Sequence, residues 1–355
     1  MIDYIITDWG IITAILVVGL FTHLRFWKWY YRRNLSVGEQ QTVKGVSGLR
    51  LVLEKLPPRR TRKGVVLCCP GLACNGRIFH LDEDLSFARL LSRAGYETWV
   101  LHPRGFDASE QPKKSQRIYG FEAYREDAIR VSEWLNDKVG EPIFWFGHSM
   151  GGLVGYEVAL SRPELLKGLI TAGTPTDLSM HPVKRPFFWL FKFFGVGFKT
   201  APLGKLSTLV APWAGWFPLP QIFPLYVNFD LIKPVKLRKA LAVCFEDVPR
   251  KLIIQFVHAL EGRKSLSGQN WAERQRQLST LEVPMLALMG NRDGLAPIQV
   301  TRRVSDLVPH ELLTTKLFDG FAHCELVLGI GAEEQVFPTV LHWLNSQSHS
   351  PASTK

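Results

Sequence analysis

Residues 142–152 read PIFWFGHSMGG, and this stretch decides the fold class that the sequence predicts. Its first half is apolar and aromatic, as in a buried strand, and residues 153–160 continue it with the small and apolar spacing of a helix. A Gly-x-Ser-x-Gly pattern at such a junction is typical of a strained turn that presents the serine, here Ser149. Without the predicted strand before it and the predicted helix after it, this short pattern would be weak evidence for such a turn.

Strands and helices alternate on both sides of this junction. A short apolar run predicts a buried strand at residues 64–69, and further strands are predicted at residues 97–101, 165–173, 283–290 and 314–318, with an entry hairpin within residues 41–54. Helical spacing predicts helices at residues 85–94, within 117–139 and at 336–344. This alternation implies an α/β fold with a mostly parallel, doubly wound sheet.

The alternation stops between residues 182 and 275, where prolines and aromatic residues accumulate. We predict that residues 179–275 form an inserted, mainly helical cap, which divides the core into residues 36–178 and 276–346. The cap is either a self-contained helical subdomain or a lid that faces lipid, since exposed apolar surface marks binding sites. Its aromatic run at 187–198 is too short to span a bilayer. The Ser-rich tail, residues 347–355, is predicted to be disordered.

An apolar segment at residues 5–24 has the length of a membrane-spanning helix, so residues 1–35 are predicted to be an anchor. Asp3 precedes this segment and Asp8 lies near its start, whereas a cleaved signal peptide would have basic residues before its apolar run. The basic residues follow the segment, at Arg25, Lys28, Arg32 and Arg33. This order places the N-terminus outside and the body of the protein in the cytoplasm. A helix that lies on the membrane, or docks on the domain, stays open as an alternative.

Composition narrows the possible partners of the 355-residue chain. An apolar fraction of 46% and a charged fraction of 21% are those of a globular protein. The net charge of +11 comes without a basic, aromatic-rich block, so an anionic membrane surface is the expected partner and nucleic acid is not. Five cysteines lack metal-site spacing and indicate buried thiols in a reducing compartment. We expect no metal and no cofactor.

Two polar residues complete a candidate site with Ser149. A serine hydroxyl needs an imidazole to take its proton and a carboxylate to hold that imidazole in one tautomer. Asp293 stands in a turn after a late predicted strand, and His323 follows the last one. The chain order serine, acid, histidine is that of a triad built on such a sheet. Asp177, after the strand that follows the serine turn, stays open as an alternative acid.

Backbone amides are expected to stabilise the negative charge that develops on a substrate oxygen. Met150 directly follows the nucleophile, and Leu72 lies in the loop after the first long predicted strand. Gly71 would let the backbone of that loop approach a substrate closely. We therefore predict that the amides of Leu72 and Met150 form the oxyanion hole.

From residue 41 to residue 344 the chain resembles the α/β-hydrolase superfamily. The resemblance rests on the serine turn at 147–152, the acid turn at 290–293 and the histidine loop at 321–329. It implies the fold, the three catalytic residues and a reaction that is either ester hydrolysis or acyl transfer.

Within that superfamily, residues 70–91 and 95–101 are similar to the acid lipases and the polyhydroxyalkanoate synthases, as is Glu325, two positions after the histidine. The lipases usually have His-Gly where this chain has Pro70 and Gly71, so the oxyanion loop is similar but not identical. The synthases use cysteine as the nucleophile. Because this chain has a serine there, polymer synthesis is disfavoured.

The function predicted from the sequence is that of a membrane-associated serine hydrolase that cleaves a carboxylic ester, with a lipid-like substrate. Two alternatives stay open. One is an acyltransferase that uses the same three residues, and the other is a catalytically silent α/β hydrolase that serves as a membrane-bound scaffold.

Overall fold

The computed structural model describes residues 2–33, 35, 38–81, 83, 86–113, 118–182, 192–193, 199–216 and 226–349. Its strands are, in chain order, β1 Glu39–Lys44, β2 Arg50–Leu56, β3 Gly64–Cys69, β4 Tyr96–His102, β5 Ile143–His148, β6 Leu166–Ala172, β7 Thr200–Ala201, β8 Val248–Pro249, β9 Met285–Gly290 and β10 Leu313–Phe318. Eight of them form one sheet in the order β1-β2-β4-β3-β5-β6-β9-β10.

The sheet is parallel from β4 through β3, β5, β6 and β9 to β10. Only its β1–β2 edge is antiparallel, where the predicted entry hairpin pairs and β2 joins β4. Strands β3, β4, β5 and β9 are buried at every residue, and β3, β5 and β9 are accordingly apolar along most of their length, whereas β4 also contains Glu97, Thr98 and His102. The predicted fold class is confirmed.

Helices cover both faces of this sheet. They are α1 Ile2–Arg32, α2 Phe87–Arg93, α3 Phe121–Val139, α4 Met150–Ser161, α5 Leu203–Val210, α6 Pro234–Val243, α7 Arg250–Leu260, α8 Trp271–Leu278, α9 Ile298–Thr301, α10 Val304–Leu307 and α11 Phe337–His349. Each face has its own apolar core, and β5 contributes to both with the strand period of two. Trp145 packs in one core, whereas Phe144 and Phe146 pack in the other.

Between β6 and β9 the described chain leaves the sheet and forms α5 to α8. One difference from the sequence prediction is a short antiparallel pairing of β7 with β8, which joins Thr200 to Pro249 and Ala201 to Val248. Two residues are too few to show a strand period in the sequence. The aromatic run at 187–198 lies outside the described residues except for 192–193, and the division into core and cap stays a prediction.

The N-terminal helix α1 is exposed along its apolar part, from Trp9 to Phe21. The segment Trp9–Arg32 is long and apolar enough to cross a membrane, with a mean hydropathy of 1.7. Its C-terminal turns contact the domain. The ring of His23 stacks on Trp213 at 5.2 Å between centroids, and Tyr31 packs against the core.

The C-terminal helix corrects the predicted boundary of the tail. The disordered tail was expected from residue 347, whereas α11 continues to His349. The hydroxyl of Tyr96 lies 3.1 Å from Asn345 Oδ1 and 3.3 Å from Ser348 Oγ, so the last turn is held against β4. Residues 350–355 lie outside the described residues.

Candidate active site

Ser149 lies between the end of β5 and the start of α4, with φ 52° and ψ −117°. A non-glycine residue with this backbone is strained by about 1–3 kcal/mol and needs surroundings that hold it there. Its amide donates to the carbonyl of Ala172 in β6 at 2.8 Å. A Cβ on Gly151 would lie 2.2 Å from the carbonyl oxygen of Cys69, and one on Gly152 would lie 2.0 Å from Thr174 Oγ1. The glycines of the motif are therefore required for this turn to pack.

His323 and Asp293 form the second part of the site. A hydrogen bond of 2.7 Å joins His323 Nδ1 to Asp293 Oδ2, and both side chains are buried. The other carboxylate oxygen accepts from the amides of Leu295 at 2.9 Å and Ala296 at 2.7 Å. Because the carboxylate only accepts, Nδ1 carries the proton and Nε2 is left to accept one. The pair can therefore act as a general base with a fixed tautomer.

The parallel strands bring this pair to the same end of the sheet as Ser149. Gly173 directly follows the residue that accepts from the Ser149 amide. A Cβ on Gly173 would lie 3.0 Å from Asp293 Oδ2 and 3.1 Å from His323 Nδ1. Among the described residues no hydrogen bond joins Ser149 Oγ to His323, a contact that commonly tightens only when substrate binds.

His148, the variable position of the serine turn, packs against His323. Its ring lies 4.6 Å from that of His323, and its Nε2 donates to the His323 carbonyl at 3.2 Å. Burial holds the pKa of His148 well below its usual range. The ring is therefore neutral and supports the backbone of His323.

The predicted oxyanion donors come from the loop after β3 and from the residue that follows Ser149. A Cβ on Gly71 would lie 3.0 Å from Ser149 Cβ, so the loop after β3 contacts Ser149. Within the part of the chain that the structure describes, the amides of Leu72 and Met150 donate to no other group. Two unpaired backbone donors beside a nucleophile can receive a negatively charged oxygen.

The alternative acid, Asp177, has other partners. Its Oδ1 accepts from the amide of Ser179 at 2.9 Å, where it caps a short 3₁₀ helix, and its Oδ2 accepts from Gln275 at 2.9 Å. Its carboxylate is therefore committed away from His323, which favours Asp293 as the acid.

Sequence reasoning missed a neighbour of His323. The ring of Tyr226, from the insertion, lies 5.8 Å from the imidazole, and its carbonyl accepts from the Cys324 amide at 3.0 Å. No local pattern in the sequence indicates this tyrosine.

The thiol of Cys74 lies next to Tyr226. Burial raises the pKa of Cys74 to about 12, so that thiol is protonated and is not a competing nucleophile.

Sequence reasoning also missed a buried cluster under the loop after β3, formed by Glu54, His80 and His102. Burial opposes the charge on Glu54, but hydrogen bonds from His102 and His80 outweigh it and hold the pKa of Glu54 well below its usual range. The three side chains are of the types that ligate metals. Arg77 Nη2, however, lies 3.1 Å from Glu54 Oε1, so the carboxylate already faces a cation. The set fits an ion-pair network better than a metal centre.

Glu325 is a buried residue of the histidine loop, residues 321–329. Its Oε2 accepts from the Ala322 amide at 3.0 Å, while its Oε1 has no hydrogen-bond partner among the described residues. Burial raises the pKa of Glu325 to about 7, against the lowering effect of nearby backbone amides. The folded protein therefore holds this carboxyl protonated at a pH where the unfolded chain ionises it.

We expect Glu325→Gln to stabilise the protein at pH 8 by about 2–3 kcal/mol and to leave it unchanged at pH 4. Since the folded pKa lies above the unfolded one, the wild type loses stability as the pH rises from about 4.5 to about 7. Glutamine can still accept from Ala322 and carries no charge. Urea denaturation at both pH values measures this, with the exposed Glu334→Gln as control. An equal pH dependence in wild type and Glu325→Gln would refute it.

The chain is similar to known hydrolases. The family described as serine aminopeptidase, S33, matches residues 60–327. A pimeloyl-(acyl-carrier protein) methyl ester esterase of Vibrio parahaemolyticus is 27% identical over 204 residues, which is 54% of this chain and 69% of that protein. A monoacylglycerol lipase of Mycolicibacterium smegmatis is 24% identical over 313 residues, which is 88% of this chain and 98% of that protein.

Among solved structures, the monoacylglycerol lipase of Paleococcus ferrophilus superposes with a TM-score of 0.59 at 20% identity. The match covers 84% of this chain and 99% of that one. At this identity the likeness shows the fold, and the family match covers most of the chain. The protein therefore belongs to the serine aminopeptidase S33 family of the α/β-hydrolase superfamily and is an esterase- or lipase-like hydrolase.

Proposed function

We propose that this protein is a membrane-anchored serine hydrolase that cleaves a carboxylic ester, with a lipid-like substrate, through an acyl-enzyme. The observation that carries the proposal is the strained turn of Ser149 beside the hydrogen-bonded pair of His323 and Asp293. Strain at a residue that carries a nucleophile is typical of active sites, where the surrounding structure is built to maintain it.

In the proposed reaction Ser149 Oγ attacks the ester carbonyl while His323 Nε2 takes its proton. Asp293 keeps the other imidazole proton on Nδ1 and stabilises the imidazolium. The carbonyl oxygen becomes an oxyanion and accepts from the amides of Leu72 and Met150. When the C–O bond to the alcohol breaks, His323 returns its proton to the leaving oxygen. Water then attacks the acyl-enzyme in the same way and releases the acid.

Two observations support a lipid-like ester as the substrate. The relatives include a monoacylglycerol lipase and a methyl ester esterase. The insertion also exposes large apolar side chains, with Trp216 at 78% of its surface, next to the region where α1 contacts Trp213. Exposed aromatic surface beside an apolar helix favours a site that works at a lipid surface.

The dimensions of α1 support a retained anchor. Residues 2–22 precede His23, whose ring stacks on Trp213, and are about 30 Å long, which is the thickness of the hydrocarbon core of a bilayer. Lys28 and Arg32, by contrast, form ion pairs with carboxylates of the domain. A helix that is bound to the domain in this way favours an anchor over a leader that is removed. With basic residues on its C-terminal flank, the catalytic domain is proposed to lie in the cytoplasm.

We expect the full-length protein to stay in the membrane pellet after an alkaline carbonate wash, and these membranes to release fatty acid from a medium-chain monoacylglycerol. Membranes that carry Ser149→Ala are the control. Free acid should remain the main product when an acceptor alcohol is added. A dominant transfer product would identify an acyltransferase instead, and failure of a fluorophosphonate probe to label Ser149 would favour a silent scaffold.

A further inference from the structure

Helix α1 contacts the domain through two ion pairs near its C-terminal end. Lys28 Nζ lies 3.6 Å from Glu246 Oε2, and the guanidinium of Arg32 pairs with Asp107 Oδ1. The side chain of Asp107 is only 3% exposed. A buried carboxylate depends on its cationic partners far more than an exposed one does. These contacts therefore do more than join the helix to a solvated surface.

The two carboxylates of the domain are joined to each other. The amide of Asp107 donates to Glu246 Oε1 at 3.2 Å, and the side-chain amide of Asn75 donates to the same oxygen at 2.9 Å. Asp107 Oδ2 accepts from Arg77 Nε at 2.9 Å. The ion pairs of α1 thus continue into a buried polar network, in which the position of each group depends on its neighbours.

This network ends on the loop that carries the predicted oxyanion donor, residues 70–75. The Glu246 amide donates to the carbonyl of Ala73 at 2.8 Å. The Asn75 amide donates to the carbonyl of Cys244 at 2.8 Å, and its side chain donates to the carbonyl of Val243 at 2.8 Å. Residues 243–246 therefore hold residues 73–75, the part of the loop that directly follows Leu72.

The loop needs such support because its backbone is strained. Ala73 has φ 59°, a left-handed conformation that a residue with a Cβ adopts only when its surroundings maintain it. Leu72 precedes this strained residue, and its N–H belongs to the neighbouring Gly71–Leu72 peptide, so its direction depends on how the loop is held at Ala73. An oxyanion donor must be placed to within a fraction of an ångström to act.

We propose that Lys28 and Arg32 are positioning residues for the oxyanion hole. Their ion pairs hold Glu246 and Asp107, and through them residues 70–75, in the geometry that aims the Leu72 amide beside Ser149. The membrane helix is thus part of the support of the active site as well as an anchor. This inference rests on the proposed function, because it assigns a role to the site proposed there.

The test is the rate at which a fluorophosphonate labels Ser149 in the full-length protein in detergent micelles, since its phosphoryl oxygen uses the same oxyanion donors. We expect Arg32→Gln to label about tenfold more slowly than the wild type while reaching the same final stoichiometry. Arg32→Lys should recover most of the rate. The matched control is Arg33→Gln, which removes the same charge one residue later, where the guanidinium lies 4.2 Å from the Tyr30 ring.

The rate and the final stoichiometry of Ser149 labelling distinguish a role of Arg32 in positioning the oxyanion loop from a role in stability alone. A helix that only stabilises the fold would lower the labelled fraction and leave the rate of the labelled molecules unchanged, which would overturn the proposal. So would an unchanged rate in Arg32→Gln, or an equal slowing in Arg33→Gln. If Arg32→Gln does not fold, Lys28→Gln takes its place, because its partner Glu246 is 13% exposed whereas Asp107 is 3% exposed, so losing the cation leaves a less buried carboxylate unpaired. A wild type that is never labelled would instead refute the proposed function, and this inference with it.

Discussion

Ser149→Ala is expected to lower ester turnover by about 10⁴-fold or more while the protein stays folded. The loss follows from the mechanism, since no acyl-enzyme forms without Oγ and only the oxyanion donors and substrate binding remain. The measurement is kcat for a medium-chain p-nitrophenyl ester, together with a denaturation curve that shows the variant is folded. Turnover above about 1% of wild type by a folded variant would point to another nucleophile.

A second substitution at the same position tests the strain. Alanine keeps a Cβ at φ 52°, whereas glycine adopts this backbone freely. Ser149→Gly should therefore be as inactive as Ser149→Ala but more stable, by about 1–2 kcal/mol. Equal stability of the two variants would show that the turn carries no strain that the surrounding structure must offset.

Asp293→Asn is the second large effect, with an expected fall in kcat of about 10⁴-fold. An asparagine amide in place of Oδ2 can donate to His323 Nδ1, which stabilises the wrong tautomer and leaves Nε2 protonated. The Oδ1 position can still accept from the amides of Leu295 and Ala296, so the turn itself should persist. Steady-state kinetics across pH measure the fall in kcat, and a thermal unfolding curve shows whether the variant keeps its fold.

The matched control is Asp177→Asn, which changes the alternative acid in the same way. Its partners are Ser179 and Gln275, so kcat should stay close to that of the wild type. Asparagine can still cap the 3₁₀ helix, but stability should fall by about 1 kcal/mol because the oxygen that accepts from Gln275 is replaced by an amide donor. If Asp177→Asn were the inactive variant and Asp293→Asn the active one, the acid would be misassigned.

The strands and the three proposed catalytic residues could be predicted because their signals are local. An apolar run such as 285–290 indicates a buried strand by itself, and parallel strands end at the same edge of a sheet. Ser149 and Asp293 follow such strands, and His323 follows the last parallel strand, β10. Their proximity therefore follows from the fold class, without knowledge of any side-chain contact.

The buried charged groups could not be predicted in this way. Glu54 and His102 meet because β2 pairs with β4 in an antiparallel register, with Val52 opposite His102. The sequence signal is a glutamate that directly follows the apolar residues 51–53, and it does not indicate which residues pair with it. Tyr226 belongs to a segment whose sequence shows neither the helix nor the strand period, so no local pattern predicted that its ring lies near His323.

The amino-acid sequence alone determined the sheet, the serine turn, the chain order of the acid and the base, and an apolar N-terminal helix. Each depends on spacing within one short stretch, which is set by backbone geometry and solvent exclusion. Only the tertiary structure decided which acid faces His323, and that α1 reaches the loop of Leu72 through Glu246 and Asp107. Those contacts join residues far apart in the chain, and they form only when packing of the whole domain brings their backbones together.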